Sequence, residues 1–230
     1  KTAAEVGGLK DATYDDVVYF GANAATVAAL FPKVGVRGLF NIVQCGGKFG
    51  RRVVSQIGRV HYGGIRVIGT TGSDPAEAMS TIPATAEIRA GDKINIIGAA
   101  GPMGTMHVIR DLCQGVPDVT VFAGDLSDER LVMLGKLATP LARKHKVSLR
   151  TYNPSKDKLA EQFDYIVLMA PVPALVVASV ASSAKGAIIN IFAGIAANVT
   201  AELDLDAYIA KQLYFIGTSG STLDDMKLVL

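Results

Sequence analysis

Residues 94–104, I-N-I-I-G-A-A-G-P-M-G, are the stretch of this sequence that decides the fold. The first four residues are an apolar run with β-branched side chains, which is typical of a buried parallel strand. Gly98, Gly101 and Gly104 follow at a spacing of three, and T-M-H-V-I-R-D-L after them has a helical pattern. Strand, glycine turn and helix are the context of a dinucleotide-binding turn, because small residues let the backbone approach a pyrophosphate and the new helix directs free N–H groups at it.

A carboxylate downstream supports this interpretation of the turn. The glycine spacing is G-x-x-G-x-x-G, so Ala99 holds the place of the first glycine in the more common G-x-G-x-x-G pattern. Residues 119–123, V-T-V-F-A, predict a second apolar strand, and Asp125 follows it, 24 residues after Gly101. A carboxylate in this place accepts hydrogen bonds from the adenosine ribose, and we predict that role for Asp125. The alternative is a tight strand–helix turn with a solvated aspartate.

The composition limits the class of protein. The 230 residues are 50% hydrophobic and 19% charged, which supports a large buried core. The net charge is only +2 and no basic stripe stands out, so we expect no nucleic-acid partner. Cys45 and Cys113 give neither a disulfide framework nor metal-ligand spacing, and their apolar neighbours predict small core residues. The three histidines are far apart in the sequence, and we predict no metal site.

The most hydrophobic stretch does not predict a membrane span. Residues 165–181 contain Pro171 and Pro173 and are too few to cross a bilayer comfortably. We therefore expect no membrane partner, and because no signal peptide is visible we expect a cytoplasmic protein. The chain begins at Lys1 within ordinary domain sequence, so we expect a fragment of a longer protein.

Apolar segments alternate with helical patterns through the second part of the chain. This alternation predicts an α/β fold, a Rossmann doubly wound parallel sheet with strand order 3-2-1-4-5-6, because crossovers are right-handed. Pro140 is expected to kink or divide the helix predicted over residues 131–145. The six predicted strands are residues 94–97, 119–123, 147–151, 165–169, 187–192 and 213–217.

The first part of the chain is similar to the end of the second. Y-D-D-V-V at residue 14 precedes F-D-Y-I-V by 149 positions, N-I at residue 41 precedes another N-I by 149, and G-T-T-G-S at residue 69 precedes G-T-S-G-S by 148. We predict an internal repeat: residues 1–84 are a partial Rossmann-like unit, the second half only, and residues 85–230 are the NAD(P)-binding Rossmann domain. The alternative is that buried strands followed by glycine turns resemble one another by chance.

With these segments in place, residues 85–230 resemble the nucleotide-binding domain of medium-chain, zinc-type alcohol dehydrogenases. The resemblance rests on I-R-A-G-D at residues 88–92, D-L-S-D-E-R-L at 125–131, K-G-A-I-I-N-I-F-A-G at 185–194 and I-G-T-S-G at 216–220. The G-P-M-G turn and the G-T-S-G ending are most similar to the sorbitol dehydrogenase and L-sorbose-1-phosphate reductase branch. Nothing here matches the family's zinc-binding catalytic domain, so zinc is expected only outside this chain, if at all.

The resemblance implies a set of cofactor-binding residues. The turn would lie along the pyrophosphate, Asp125 would hold the adenosine ribose, and the residues after the fourth and fifth strands would face the cofactor and border its nicotinamide end. The implied positions are Gly98, Gly101, Pro102, Met103 and Gly104 in the turn, Asp125, then Ala170 and Pro171 after the fourth strand, and Ala193 and Gly194 after the fifth.

We predict no catalytic residue within the chain. Tyr152 and Lys156 fit Y-x-x-x-K, the dyad of short-chain dehydrogenases, but Pro154 lies between them and the segment follows a predicted strand. The sequence thus predicts the cofactor-holding fragment of an NAD(P)-dependent oxidoreductase acting on a polyol, sugar alcohol or related alcohol, inactive by itself. The alternative is a non-catalytic nucleotide-binding or dimerisation module with a degenerate Rossmann repeat.

The sequence also predicts the preferred cofactor and the sheet edges. Asp125 would repel the 2′-phosphate of NADP, so we predict NAD, although the nearby Arg130 could reach such a phosphate. Residues 65–69 and 213–217 should be edge strands, and short apolar edges favour pairing. We hypothesise that these two edges pair antiparallel within one chain as a pseudo-dimer; the alternative is a homodimer in which each edge meets its copy.

Overall fold

The structure is a computed structural model that describes residues 3–217 of the chain. The G-T-S-G ending predicted after the sixth strand lies beyond residue 217 except for its first glycine, and therefore outside the described residues. The elements follow one another as α1 (Ala3–Gly7), β1 (Tyr14–Phe20), α2 (Ala24–Leu30), a short 3-10 helix (Phe31–Lys33), β2 (Val34–Val43), β3 (Val53–Ser55), α3 (Gly58–Gly63), β4 (Arg66–Thr70), α4 (Pro75–Met79), β5 (Lys93–Ile97), α5 (Pro102–Cys113), β6 (Thr120–Gly124), α6 (Asp128–His145), β7 (Ser148–Tyr152), β8 (Phe163–Leu168), α7 (Pro173–Ser182), β9 (Ser183–Ile191), β10 (Ala201–Leu203), α8 (Leu205–Ala210) and β11 (Tyr214–Ile216).

Six strands form one parallel sheet, in the order β7-β6-β5-β8-β9-β11. This is the order 3-2-1-4-5-6, so the predicted doubly wound Rossmann sheet is confirmed. The strands read as apolar runs because both faces are covered by helices. On one face Ile94 and Ile96 pack in a cluster with Val108 of α5 and Leu134 of α6. On the other face, Ile166 packs in a cluster with residues of α7 and of the first part of the chain.

Three further strands form a second parallel sheet, in the order β1-β2-β4. Two short strands, β3 and β10, pair antiparallel and join the first part of the chain to the second. Neither short strand is predicted from the sequence. The larger hydrophobic cluster draws residues from both parts, including Phe40, Ile57, Ile189 and Phe215, so the two sheets share a buried core.

The expected pairing of the two edge strands is wrong. β4 and β11 are edges, as predicted, but they belong to different sheets, and no backbone ladder joins them among residues 3–217. Helices pack against both strand segments, since Ile209 of α8 lies against Gly69 and His61 of α3 lies against Gly217. A side chain bridges the strands: the Tyr208 hydroxyl donates to the Val67 carbonyl at 2.7 Å and accepts from the Phe215 N–H at 3.1 Å.

Two local expectations need correction. α6 is not divided at Pro140, one of the two outcomes expected there, because it runs continuously from Asp128 to His145. Pro140 is exposed, so the Lys136 carbonyl that loses its N–H partner lies on the solvent side, where water can bond to it. Both cysteines are exposed rather than buried in the core. Cys45 follows β2 in a left-handed backbone conformation (φ 53°), and Cys113 ends α5 on its outer side.

Candidate functional site

The glycine turn between β5 and α5 is held against the end of the neighbouring strand. The N–H groups of Gly98 and Ala99 both donate to the Gly124 carbonyl at 2.9 Å. Gly98 has φ 87°, a conformation that favours glycine. A β-carbon on Gly104 would lie 2.7 Å from Ala99 Cα, so only glycine lets α5 approach the turn this closely.

The first turn of α5 is open to an anion. Gly101 is its N-cap residue and makes no side-chain capping bond, while Pro102 takes the first helical position. The N–H groups that follow, of Met103 and Gly104, have no carbonyl of their own helix to bond. Free donors at the positive end of a 12-residue helix are a suitable site for phosphate oxygens.

Asp125 lies beside this turn and is tied to it. Its Oδ2 accepts from the Ala100 N–H at 3.1 Å and its Oδ1 from the Ser127 N–H at 3.0 Å. The carboxylate is half-buried, and each oxygen keeps further lone pairs for a ligand hydroxyl. The fixed charge therefore faces the space in front of the turn, with its direction set by two backbone donors.

A cavity of about 600 Å³ opens beside the turn, at the carboxyl ends of the strands. It brings together three predicted residues, Gly98, Asp125 and Ala170. Sequence reasoning missed most of its apolar wall, which has no motif of its own. The remaining lining residues are Ile97, Gly124, Leu126, Ser127, Arg130, Tyr152, Pro154, Val172 and Leu175.

Tyr152 sets the floor of this cavity. Its ring lies so close to Gly124 that any side chain there would overlap it. The hydroxyl donates to Asn95 Oδ1 at 2.8 Å, and burial raises the pKa of Tyr152. Lys156, the other member of the Y-x-x-x-K pattern, forms an ion pair with Asp128 instead of contacting the tyrosine. Tyr152 therefore packs in the cavity wall, Lys156 forms a surface ion pair, and the two do not act together as a dyad.

The other predicted residues continue along the same edge. Ala170 and the exposed Pro171 follow β8, and Ala193 and the exposed Gly194 follow β9. The Ala193 N–H donates to the Leu168 carbonyl at 2.8 Å, which holds the two strand ends side by side. The turn, Asp125 and the residues after β8 and β9 therefore form one row across four neighbouring strands.

Two charged or titratable groups near the row have distinct environments. Arg130 is exposed, lines the cavity, and has no ion-pair partner among the described residues. His107 of α5 packs edge-on against Phe192, with ring centroids 5.0 Å apart. Burial, with the nearby charge of Arg110, holds the pKa of His107 below its usual range and so favours the neutral imidazole.

Within residues 3–217, no group of three or more His, Cys, Asp or Glu side chains is arranged to hold a metal ion. In the same part of the chain, no helix combines the length and apolar character that a bilayer crossing requires.

Comparisons with known proteins give weak likenesses only. No protein-family model matches the sequence, and no curated protein does. Among solved structures, an Escherichia coli alcohol dehydrogenase complexed with NADH is 21% identical, with a TM-score of 0.46 over 61% of this chain and 40% of that one. L-idonate 5-dehydrogenase from Escherichia coli is 18% identical, with a TM-score of 0.45 over 61% and 38%.

A third structure, the quinone oxidoreductase of Thermus thermophilus, described also in complex with NADPH, is 19% identical, with a TM-score of 0.44 over 68% of this chain and 51% of that one. This chain thus spans between 38% and 51% of the length of these three structures. Likenesses at this level do not identify the activity of this chain.

Proposed function

We propose that this chain binds a dinucleotide, NAD in preference to NADP, across the carboxyl edge of its six-stranded sheet. The observation that carries the proposal is the position of Asp125 beside an uncapped helix start, with both oxygens oriented by backbone donors. In open α/β sheets, ligands bind where the strand order reverses, here between β5 and β8. The turn, the carboxylate and the apolar cavity all lie at that point.

The residues fit the two chemical ends of such a ligand. The free N–H groups of the α5 first turn would bond the pyrophosphate, and the remaining lone pairs of Asp125 would accept from the ribose hydroxyls. Leu126, Val172 and Leu175 would pack against the adenine. Gly101, Pro102, Ala170, Pro171, Ala193 and Gly194 would line the path of the cofactor from the pyrophosphate to the nicotinamide.

We infer that the chain is the nucleotide-binding fragment of a medium-chain oxidoreductase acting on a polyol, sugar alcohol or related alcohol. When bound, the nicotinamide supplies the hydride chemistry, and the chain itself binds and orients it. Arg130 is the competing feature, because an arginine at this end of the second strand could reach the 2′-phosphate of NADP. The balance between Asp125 and Arg130 would set the cofactor preference.

Titration calorimetry with NAD and NADP tests this proposal. Asp125→Ser should weaken NAD binding by about tenfold to a hundredfold, because it removes hydrogen bonds to a charged acceptor. The same change should narrow or reverse the preference over NADP. Asp74→Ser is the matched control, because the Asp74 carboxylate also accepts from a backbone N–H, that of Ala76 at 2.9 Å, but as the N-cap residue of α4. Tighter NADP than NAD binding by the unmodified chain would contradict the proposal.

We also propose that residues 1–84 and 85–230 form an intrachain pseudo-dimer of a repeated unit. Strand pairing supports the repeat, since Val18 pairs with Asn41 as Val167 pairs with Asn190, and both members differ by 149 positions. The next pairs agree: Asn41 with Ile68, and Asn190 with Ile216, which lies 148 positions after Ile68.

The contacts between the two units support a pseudo-two-fold axis. In the β3–β10 pair, Glu202 lies opposite Val54, 148 positions earlier. On either side, Ala201 pairs with Ser55 and Leu203 with Val53, so each residue pairs with the equivalent of the other's partner, as a two-fold axis requires. The helix contacts agree, because Ile209 lies against Gly69 as His61 lies against Gly217, again 148 positions apart in each case. The first unit would thereby take the place of a second subunit, through β3, β10 and the helices α3 and α8.

A further inference from the structure

A tyrosine from the first unit stands at the carboxyl edge of the second. A β-carbon built on Gly194 would lie 2.9 Å from the Tyr62 hydroxyl oxygen, so this hydroxyl almost touches the backbone after β9. Tyr62 is 53% exposed, and its ring therefore faces an open surface rather than the core.

The helix that carries Tyr62 is fixed to the second unit. His61 Nδ1 lies 3.0 Å from the Ile191 carbonyl oxygen, and the buried His61 ring packs edge-on against Tyr62 with centroids 4.6 Å apart. At the start of α3, the Gly58 N–H donates to the Val199 carbonyl at 3.2 Å. The segment after β9 and α3 thus hold each other, and the position of Tyr62 is set by contacts on both sides.

The geometry places Tyr62 at the end of the row opposite Asp125. A dinucleotide whose ribose meets Asp125 after β6 extends over β5 and β8 toward β9. Three strand spacings separate the ends of β6 and β9, a span of about 14 Å. Gly194, at the end of that span, has the Tyr62 hydroxyl as its neighbour.

The equivalent place in the first unit differs. Ala210 follows Tyr62 by 148 positions and lines a smaller cavity of about 300 Å³, beside Gly46 and Gly47. Only the edge with a glycine turn therefore has a tyrosine in this position.

We propose that Tyr62 is a positioning residue for the nicotinamide half of the dinucleotide, with its ring as a side wall and its hydroxyl as a hydrogen-bond donor. This inference rests on the proposed function, since it needs a dinucleotide in the row. It means that the first unit completes the binding site of the second, in addition to covering its core.

Calorimetric titration with NADH and with ADP-ribose, which lacks the nicotinamide, tests the inference. Tyr62→Ala should weaken NADH binding about twofold to tenfold, as expected for one lost hydrogen bond, and leave ADP-ribose binding unchanged. Gly194→Ala should weaken NADH binding in the unmodified background, because the new methyl displaces the hydroxyl, and should cost less in the Tyr62→Ala background. Tyr14→Ala is the control, because Tyr14 is also an exposed tyrosine but begins β1, a strand of the other sheet.

The outcomes separate the two proposals. If the unmodified chain binds both ligands and Tyr62→Ala weakens both equally, or neither, the role of Tyr62 is refuted while the proposed function stands. If the unmodified chain binds neither ligand, the proposed function is refuted and this inference with it. A thermal melt of each variant shows whether a loss of affinity is a loss of fold.

Discussion

Asp111 of α5 is a buried carboxyl whose replacement should stabilise the protein at neutral pH. It is 2% exposed, its Oδ1 lies 3.3 Å from Arg110 Nη1, and its Oδ2 has no hydrogen-bond partner among the described residues. Burial, opposed by Arg110 and assisted by the charge of Glu87, raises the pKa of Asp111 from 3.8 to about 6. At pH 8 the folded chain therefore holds an ionised carboxylate that burial disfavours.

The size of the effect follows from linkage. A rise of about two pH units at 1.36 kcal/mol each corresponds to about 3 kcal/mol, which already includes the attraction of Arg110. Because the pKa of Asp111 is raised in the folded chain, the protonated carboxyl contributes this free energy to stability in full below pH 3.8. The contribution is lost as the pH rises through about 6. The Asp111→Asn variant, neutral at every pH, does not lose it.

Urea denaturation at pH 4, 6 and 8 measures this difference. We expect Asp111→Asn to exceed the unmodified chain in free energy of unfolding by up to about 3 kcal/mol at pH 8, and by little at pH 4. Asp15→Asn, on an exposed position of β1, should show no such pH-dependent gain. Equal stability of Asp111→Asn and the unmodified chain at pH 8, or a gain that is the same at all three pH values, would refute the reasoning.

Two further changes test the core shared by the two sheets and the glycine turn. Tyr208→Phe leaves the Val67 carbonyl and the Phe215 N–H without their partner, so the free energy of unfolding in urea should fall by about 1–3 kcal/mol within a single cooperative transition. The exposed control Tyr14→Phe should lower it by almost nothing. Separate unfolding transitions for the two sheets would contradict a shared core. Gly104→Val drives a side chain into the backbone of the preceding turn, so NADH affinity should fall at least about tenfold in calorimetry, and unchanged affinity would mean that the turn does not hold the pyrophosphate.

The sequence by itself determines the main sheet and the core of the candidate site. Apolar runs such as residues 94–97 and 119–123 are local patterns, and right-handed crossovers then leave few strand orders. The same local logic places Gly98, Asp125 and Ala170 at neighbouring strand ends, because carboxyl ends of parallel strands share one edge. These three residues meet at one cavity, as a reader of the sequence alone would expect.

Only the tertiary structure decides how the two parallel sheets meet. The antiparallel pairing expected for β4 and β11 is absent from residues 3–217, and the Tyr208 hydroxyl bridges them instead. The position of Tyr62 beside Gly194 likewise joins residues far apart in the sequence. Such contacts depend on how the two sheets and their helices pack against each other, which is determined by the shape of the complete packed surfaces. A period of two or 3.6 residues records which face of an element is buried, but it does not record which distant element covers that face.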